Sequence, residues 1–189
     1  MDKMINLKKL QWTQKPKYFV QKSDRIMIET EPHTDLPPYG RGAEAKDLIV
    51  TPGGSFHMTV RCDFTYHEPF DQCGLVLYNG EERKAIIGTQ KRDGEVSKLQ
   101  CIVYYDGGGD RCERDIGSAI RWMYYRIWYR TGGVRIQYSF NGIRYSDFRE
   151  FAVEEDTELH IGIYACSPSD SYFDCEFSEV AIAQEEKQK

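Results

Sequence analysis

The stretch MYYRIWYRTGGVRIQYSFNGIRYSDF, residues 123–148, decides the fold class. Tyr125, Ile127 and Tyr129 alternate with Tyr124, Arg126, Trp128 and Arg130, a period-two pattern in β-forming residues. Thr131-Gly132-Gly133 interrupts the run. Val134, Ile136 and Tyr138 then alternate with Arg135, Gln137 and Ser139. Asn141-Gly142 is a hairpin signal, because a type I′ turn needs φ > 0 at both central residues. Residues 143–148 supply a third strand. The expectation is an antiparallel three-stranded meander with one apolar and one polar face.

The same grammar extends along the chain. Phe56, Met58, Val60, Cys62 and Phe64 alternate with His57, Thr59, Arg61 and Asp63. Residues 17–21 and 25–30 form a first hairpin, and Asn79-Gly80 joins strands at 71–78 and 83–90. Arg92-Asp93-Gly94 turns the chain into a strand at 99–105. In 159–166, Ile161, Ile163 and Ala165 oppose His160, Gly162 and Tyr164, and 172–182 closes the fold. Residues 31–54, with Pro32, Pro37, Pro38, Gly40 and Gly42, read as a loop with only brief pairing at 48–50. Residues 154–158 read as an acidic turn. Asp106-Gly107-Gly108-Gly109-Asp110 reads as a loop tip; with no Gly-Lys-Ser/Thr and no following helix it is not a phosphate cradle. No amphipathic helix exceeds two turns. About a dozen short strands spaced roughly 8–12 residues apart imply an all-β antiparallel jelly-roll sandwich. A single domain over 1–183 and a polar tail over 184–189 are expected.

Composition narrows the partners. The 189 residues include 13 % aromatics and 16 Gly, which suits a turn-rich β protein. A formal charge of −5 argues against nucleic acid and anionic membranes as partners. The N-terminus, MDKMINLKKLQW, has no apolar core of a signal peptide, and no segment approaches about 18 apolar residues. The expectation is a soluble cytoplasmic protein. The six cysteines, at 62, 73, 101, 112, 166 and 175, form no C-x-x-C pair and read as reduced, partly buried thiols. Three disulfides in an exported chain are the alternative.

Several blocks carry a family resemblance: DQCGLVLY (71–78), RIWYR (126–130), YSFNGIRYSDFR (138–149), IGIYACSP (161–168) and FDCEF (173–177). Together with Trp12 and PHTD (32–35), they resemble a concanavalin A-like family of unknown function in bacteria and fungi. Its yeast member is described as a regulator of enolase. The same blocks resemble the concanavalin A-like module appended to some xylan-degrading glycosidases. The resemblance implies two antiparallel sheets, one of them concave, and spans residues 12–182. The chain departs from the family pattern in three places. Leu36 replaces the aromatic residue after Thr-Asp, Glu82-Arg83-Lys84-Ala85 lacks the Trp of a Trp-x-Lys-x-Gly strand, and a Ser-Asp-Trp block is absent near 106–110.

No catalytic constellation stands out. Laminarinase-like hydrolases of this fold use Glu-x-Asp-x-x-Glu, which sets two carboxylates about 5 Å apart for retaining chemistry. Glu154-Glu155-Asp156-Thr157-Glu158 has the wrong spacing. His33, His57, His67 and His160 are scattered, with no metal-ligand spacing. No cofactor or metal is expected. Alternation instead assembles a candidate ligand-binding face from Gln72, Tyr78, Lys84, Tyr104, Arg126, Trp128, His160 and Tyr164. Gln100, Ile102, Arg135 and Gln137 are further candidates for that face. These residues suit a non-catalytic module binding a carbohydrate or another polyhydroxylated ligand. The alternatives are a regulatory protein-interaction module acting on a metabolic enzyme, and a glycosidase-like enzyme with an unfamiliar site.

Overall fold

The structure, a computed structural model, describes residues 2–36, 42–50, 55–80, 82–106, 108–154 and 159–184. It is a jelly-roll sandwich of two antiparallel sheets, with no α-helix among the described residues. In chain order the strands are β1 (Lys3–Met4), β2 (Gln11–Gln14), β3 (Tyr18–Gln21), β4 (Arg25–Glu29) and β5 (Ala43–Val50). The middle of the chain forms β6 (Phe56–Thr65), β7 (Gln72–Asn79), β8 (Glu82–Lys91), β9 (Val96–Tyr105) and β10 (Gly108–Gly117). The last five are β11 (Trp122–Arg130), β12 (Gly133–Ser139), β13 (Ser146–Ala152), β14 (Leu159–Cys166) and β15 (Asp174–Gln184). One sheet runs β13-β12-β11-β6-β15-β4-β3, with β1 added to β15. The other runs β10-β9-β8-β7-β14-β5-β2.

Alternation decides what each strand buries. Phe56, Met58, Val60 and Cys62 of β6, and Met123, Tyr125 and Ile127 of β11, point into the sandwich. From the facing sheet come Leu75 and Leu77 of β7, Ala85 and Ile87 of β8, Leu99 and Cys101 of β9, and Ile161 and Ile163 of β14. Their intervening neighbours face outward on the two opposite sides of the molecule. Trp12 packs against this core and donates its indole N–H to Gln21 Oε1 at 3.1 Å.

Three local expectations need correction. Asn141-Gly142 does not make a two-residue hairpin, because β12 ends at Ser139 and β13 starts at Ser146. Asn141 Oδ1 instead accepts the N–H groups of Ile143 and Arg144 at 2.9 and 3.0 Å, and Ser139 Oγ accepts that of Gly142 at 3.0 Å. These side-chain acceptors support a longer loop that a backbone turn alone would not satisfy. The glycine run is not all loop tip: Gly108 opens a ten-residue strand, paired throughout with β9. Residues 43–50 form the whole of β5, since β14 and β2 flank it on both sides. Residues 37–41, 155–158 and 185–189 lie outside the described residues, and with them Pro37, Pro38, Gly40, most of the acidic turn and the tail.

All six cysteines are free, five of them buried and Cys112 half-buried. Cys62 and Cys73 face each other across the sandwich with sulfurs 3.5 Å apart, and burial pushes the Cys101 thiol up to about 12. A thiol reagent should therefore label one cysteine of the six rapidly in the native protein and all six after denaturation. Fast native labelling of two or more, counted by mass, would contradict this packing.

Candidate functional site

The outer face of the seven-stranded sheet carries a groove of about 790 Å³. Register explains its floor. Gln72 pairs with Gln90 across β7 and β8, Gly74 with Gly88, and Val76 with Ile86. Gly88 pairs onward with Gln100, and Ile86 with Ile102. Polar and apolar rows thus lie side by side, with Gln72, Gln90 and Gln100 forming a patch of amides next to Val76, Ile86 and Ile102. The three glutamines are 5 %, 6 % and 1 % exposed. Gln100 Nε2 donates to Gln72 Oε1 at 3.0 Å, while Gln100 Oε1 and Gln90 Oε1 have no protein partner among the described residues. Turning the Gln100 amide over would set its Oε1 against Gln72 Oε1, acceptor against acceptor, so the hydrogen bond fixes the orientation of that amide.

The paired glycines have a steric purpose. Tyr164 on β14 stands opposite Gly74. Its hydroxyl reaches so far that a Cβ placed on Gly88 would lie 2.5 Å from it. Bare backbone at 88 leaves room for the tip of this fully buried ring, and bare backbone at 74 lets β7 lie against β8, since a Cβ there would collide with the Ile87 carbonyl. Tyr164, Tyr78, Val76, Ile86, Cys166 and Leu36 form a small apolar cluster on this outer face, separate from the main core.

At one end a buried ion pair joins two strands. Arg83 Nη2 donates to Glu44 Oε2, and both side chains are largely inaccessible. Burial raises the Glu44 carboxyl, and the Arg83 guanidinium opposes that rise. The Tyr104 hydroxyl is raised by burial too, with Arg83 again opposing. The rim arginines are also matched: Arg92 and Arg111 each lie 3.2 Å from the Glu113 carboxylate.

The remaining wall comes from residues 34–36, and the family-resembling blocks hold it there. Thr34 Oγ1 donates to the Glu31 carbonyl at 2.6 Å and accepts the Ser167 N–H at 2.9 Å. Thr30 Oγ1 and Ser167 Oγ are 2.7 Å apart, and the Phe173 N–H donates to Thr30 Oγ1 at 2.9 Å. Asp35 Oδ1 accepts the N–H of Leu36 at 2.7 Å. PHTD, IGIYACSP and FDCEF, far apart in sequence, thus meet at one joint. Asp71 anchors the other side, its Oδ2 accepting the N–H groups of His67 and Glu68, both at 2.9 Å.

The sequence-derived candidate residues do not share one face. Gln72 and Tyr104 line the groove. Tyr78 and Tyr164 are on the same face but buried beneath its surface, and half-buried His160 is the register partner of Tyr78. Lys84 is displaced by a β-bulge: Leu77 pairs with Ala85 and Tyr78 with Arg83, so Lys84 is the extra residue. Its ammonium sits 5.5 Å from the Tyr105 ring, and Arg83 takes the inward place. Arg126 and Trp128 belong to β11 in the opposite sheet and line a different cleft, together with Arg135 and Gln137. Alternation assigns a residue to an outer face but not to which of two outer faces. Sequence reasoning missed Gln90, Arg83, Glu44 and Arg111. Gln90 was legible from its alternation with Gly88 and Ile86, whereas Arg111 was hidden by the glycine run that precedes it.

The groove offers amide hydrogen-bonding groups, an aromatic edge at Tyr104 and ion-paired charges. Its carboxylates are engaged by Arg83, by Arg92 and Arg111, and by the Leu36 N–H. Among the described residues no group of three or more His, Cys, Asp or Glu side chains is placed to hold a metal ion. No helix among them is long and apolar enough to cross a membrane.

Fold and groove together define a concanavalin A-like sandwich with a polar-floored groove on one outer face. The chain belongs to the family described as a protein of unknown function (DUF1349), which matches residues 12–185. It is 24 % identical over 175 residues to Regulation of enolase protein 1 of Saccharomyces cerevisiae, covering 90 % of this chain and 87 % of that protein. Among solved structures, a functionally unknown protein from Saccharomyces cerevisiae superposes with a TM-score of 0.78 at 22 % identity, covering 96 % of this chain and 99 % of that one. A GH43 glycoside hydrolase engineered to display both endo-xylanase and exo-arabinofuranosidase activity gives 0.70 at 17 % identity, covering 92 % of this chain and 38 % of that one. At these identities the structures share the fold.

Proposed function

We propose that the protein is a non-catalytic binding module that takes a neutral, polyhydroxylated ligand of carbohydrate type in the groove of the seven-stranded sheet. The observation that carries this reading is the glutamine floor. Gln90 and Gln100 bring buried amide oxygens without partners among the described residues to the bottom of an open groove. A buried polar atom left unpaired costs about 1–3 kcal/mol, and ligand hydroxyls, which both donate and accept, relieve that cost. Tyr104 and Ile102 provide the flat apolar surface against which a sugar ring packs. Neutrality follows from the charge balance, since Arg83, Arg92 and Arg111 are set against Glu44, the Glu113 that two of them share, and Asp35 of the groove wall. The unpaired thiols support a reducing compartment such as the cytoplasm.

Isothermal titration against neutral mono- and oligosaccharides tests the reading. Saturable binding should weaken by roughly tenfold in Gln100→Met, which keeps the volume and removes the amide, and similarly in Tyr104→Leu. The absence of saturable binding across the panel would overturn it.

A second reading is a regulatory module acting on a metabolic enzyme, supported by the name of the yeast relative. A stoichiometric enzyme partner co-purifying from native extract and resisting competition by saccharides would favour it over the first.

A further inference from the structure

The eight-stranded sheet has a cleft of its own, on the side of the molecule opposite the groove. It encloses about 840 Å³ between β11, β12, the end of β13 and the 140–145 loop. The loop is held against β11. Trp122 donates its indole N–H to the Phe140 carbonyl at 2.9 Å, and a Cβ on Gly142 would lie 2.9 Å from the Tyr124 ring. This brings Tyr145 over Arg126, whose guanidinium carbon is 3.6 Å from the ring centroid.

Arg126 shares a buried, unpaired Nε with Arg83, Arg92 and Arg149, but those three have carboxylate partners. Among the described residues no carboxylate lies within ion-pair distance of Arg126. The acids beside it are already engaged: Glu150 pairs with Arg135, and Asp147 Oδ1 accepts Gln137 Nε2 at 2.8 Å. The neighbouring indole is fixed as well. Trp128 donates to Gln137 Oε1 at 2.9 Å and packs against His57 with ring centroids 4.3 Å apart. Tyr145 over the guanidinium restrains it, and Arg126 lines the cleft, where a planar guanidinium recognises a carboxylate through paired N–H donors. Val134, Phe151 and Ile143, the last of which is 82 % exposed, give the cleft an apolar wall, in a lining that also includes Arg130, Thr131, Arg135, Gln137 and Glu150.

We propose that this cleft binds a small organic carboxylate, with Arg126 holding the carboxylate and Trp128, Ile143 and Phe151 covering its apolar body. The two faces then differ in ligand chemistry. The groove pairs its own cations and suits a neutral ligand, while the cleft keeps a preoriented cation beside an apolar wall.

Trp128 gives an intrinsic optical readout. Tryptophan fluorescence and calorimetry would be followed against benzoate, acetate and inorganic phosphate on the full chain. Benzoate should bind saturably, with acetate weaker for want of an apolar body and phosphate weakest. Arg126→Gln should weaken benzoate about ten- to a hundredfold, the range for one charge-assisted contact. Arg126→Lys, which keeps the charge and loses the fork, should fall between. Trp128→Phe should abolish the fluorescence change while calorimetry still detects binding. Equal thermal melting of the variants verifies the fold. No saturable binding of benzoate, unchanged affinity in Arg126→Gln, or phosphate binding as tightly as benzoate would each overturn the proposal. None of these outcomes depends on the saccharide reading of the groove.

Discussion

Arg83→Met should lower the stability of the folded protein by about 3–5 kcal/mol, the cost of leaving a buried charge without its partner. Arg83 and Glu44 are nearly inaccessible, and Glu44 sits next to the Tyr164 row on β5. Methionine fills the space of the arginine stem but cannot neutralise the carboxylate. The deficit should depend on pH with a definite sign. Burial already raises the Glu44 carboxyl, and Arg83 is the group that holds it down. Without Arg83 the folded-state pKa rises further above its unfolded value, so the folded state binds the proton more tightly. The variant should therefore recover stability as pH falls toward the ordinary carboxylate range, and lose it again as pH rises through the raised value. Urea denaturation of wild type and variant at several pH values checks this. A deficit that is constant with pH, or that grows on acidification, would refute the assignment. Arg83→Met/Glu44→Leu should restore much of the loss, because an apolar pair carries no desolvation cost.

Gly88→Ala should cost about 1–3 kcal/mol, the range for overpacking a filled site, although alanine is ordinarily the better strand residue. The added methyl would lie 2.3 Å from the Cys73 carbonyl oxygen and 2.5 Å from the Tyr164 hydroxyl. The tyrosine tip can shift, but the carbonyl belongs to the paired backbone of β7 and cannot. Combining Gly88→Ala with Tyr164→Phe should accordingly recover only part of the loss. Gly117→Ala is the matched control: no atom lies within 4 Å of its Cβ position, so its effect should stay within roughly 0.5 kcal/mol. Denaturant midpoints of the three variants separate these cases. A neutral Gly88→Ala would mean that the Cys73 carbonyl of β7 is not held against Gly88.

Gly88 also illustrates what could not be read from a single chain. Its strand was legible, because 83–90 carries β-forming residues between two turn signals. Its reason was not, because the side chain it makes room for arrives from β14. The Lys84 assignment failed similarly: one bulge opposite Leu77 and Tyr78 moved Arg83 to the inner position. Nothing local in Glu82-Arg83-Lys84-Ala85 signals which residue is the extra one.

The sequence by itself determined that this protein is an antiparallel sandwich. Side-chain alternation is set by backbone geometry, and long runs such as 56–64 and 123–130 admit one buried face each. It also determined the family, through blocks whose hydrogen-bonding residues meet where the 30–36 segment joins β14. Only the tertiary structure decided the site. Alternation gives each strand an inside and an outside, but strand order decides which outsides are neighbours. β7, β8, β9 and β14 share one sheet, and β11 and β12 share the other. The glutamine floor and the Arg126 cleft are therefore separate surfaces, with the whole hydrophobic core between them.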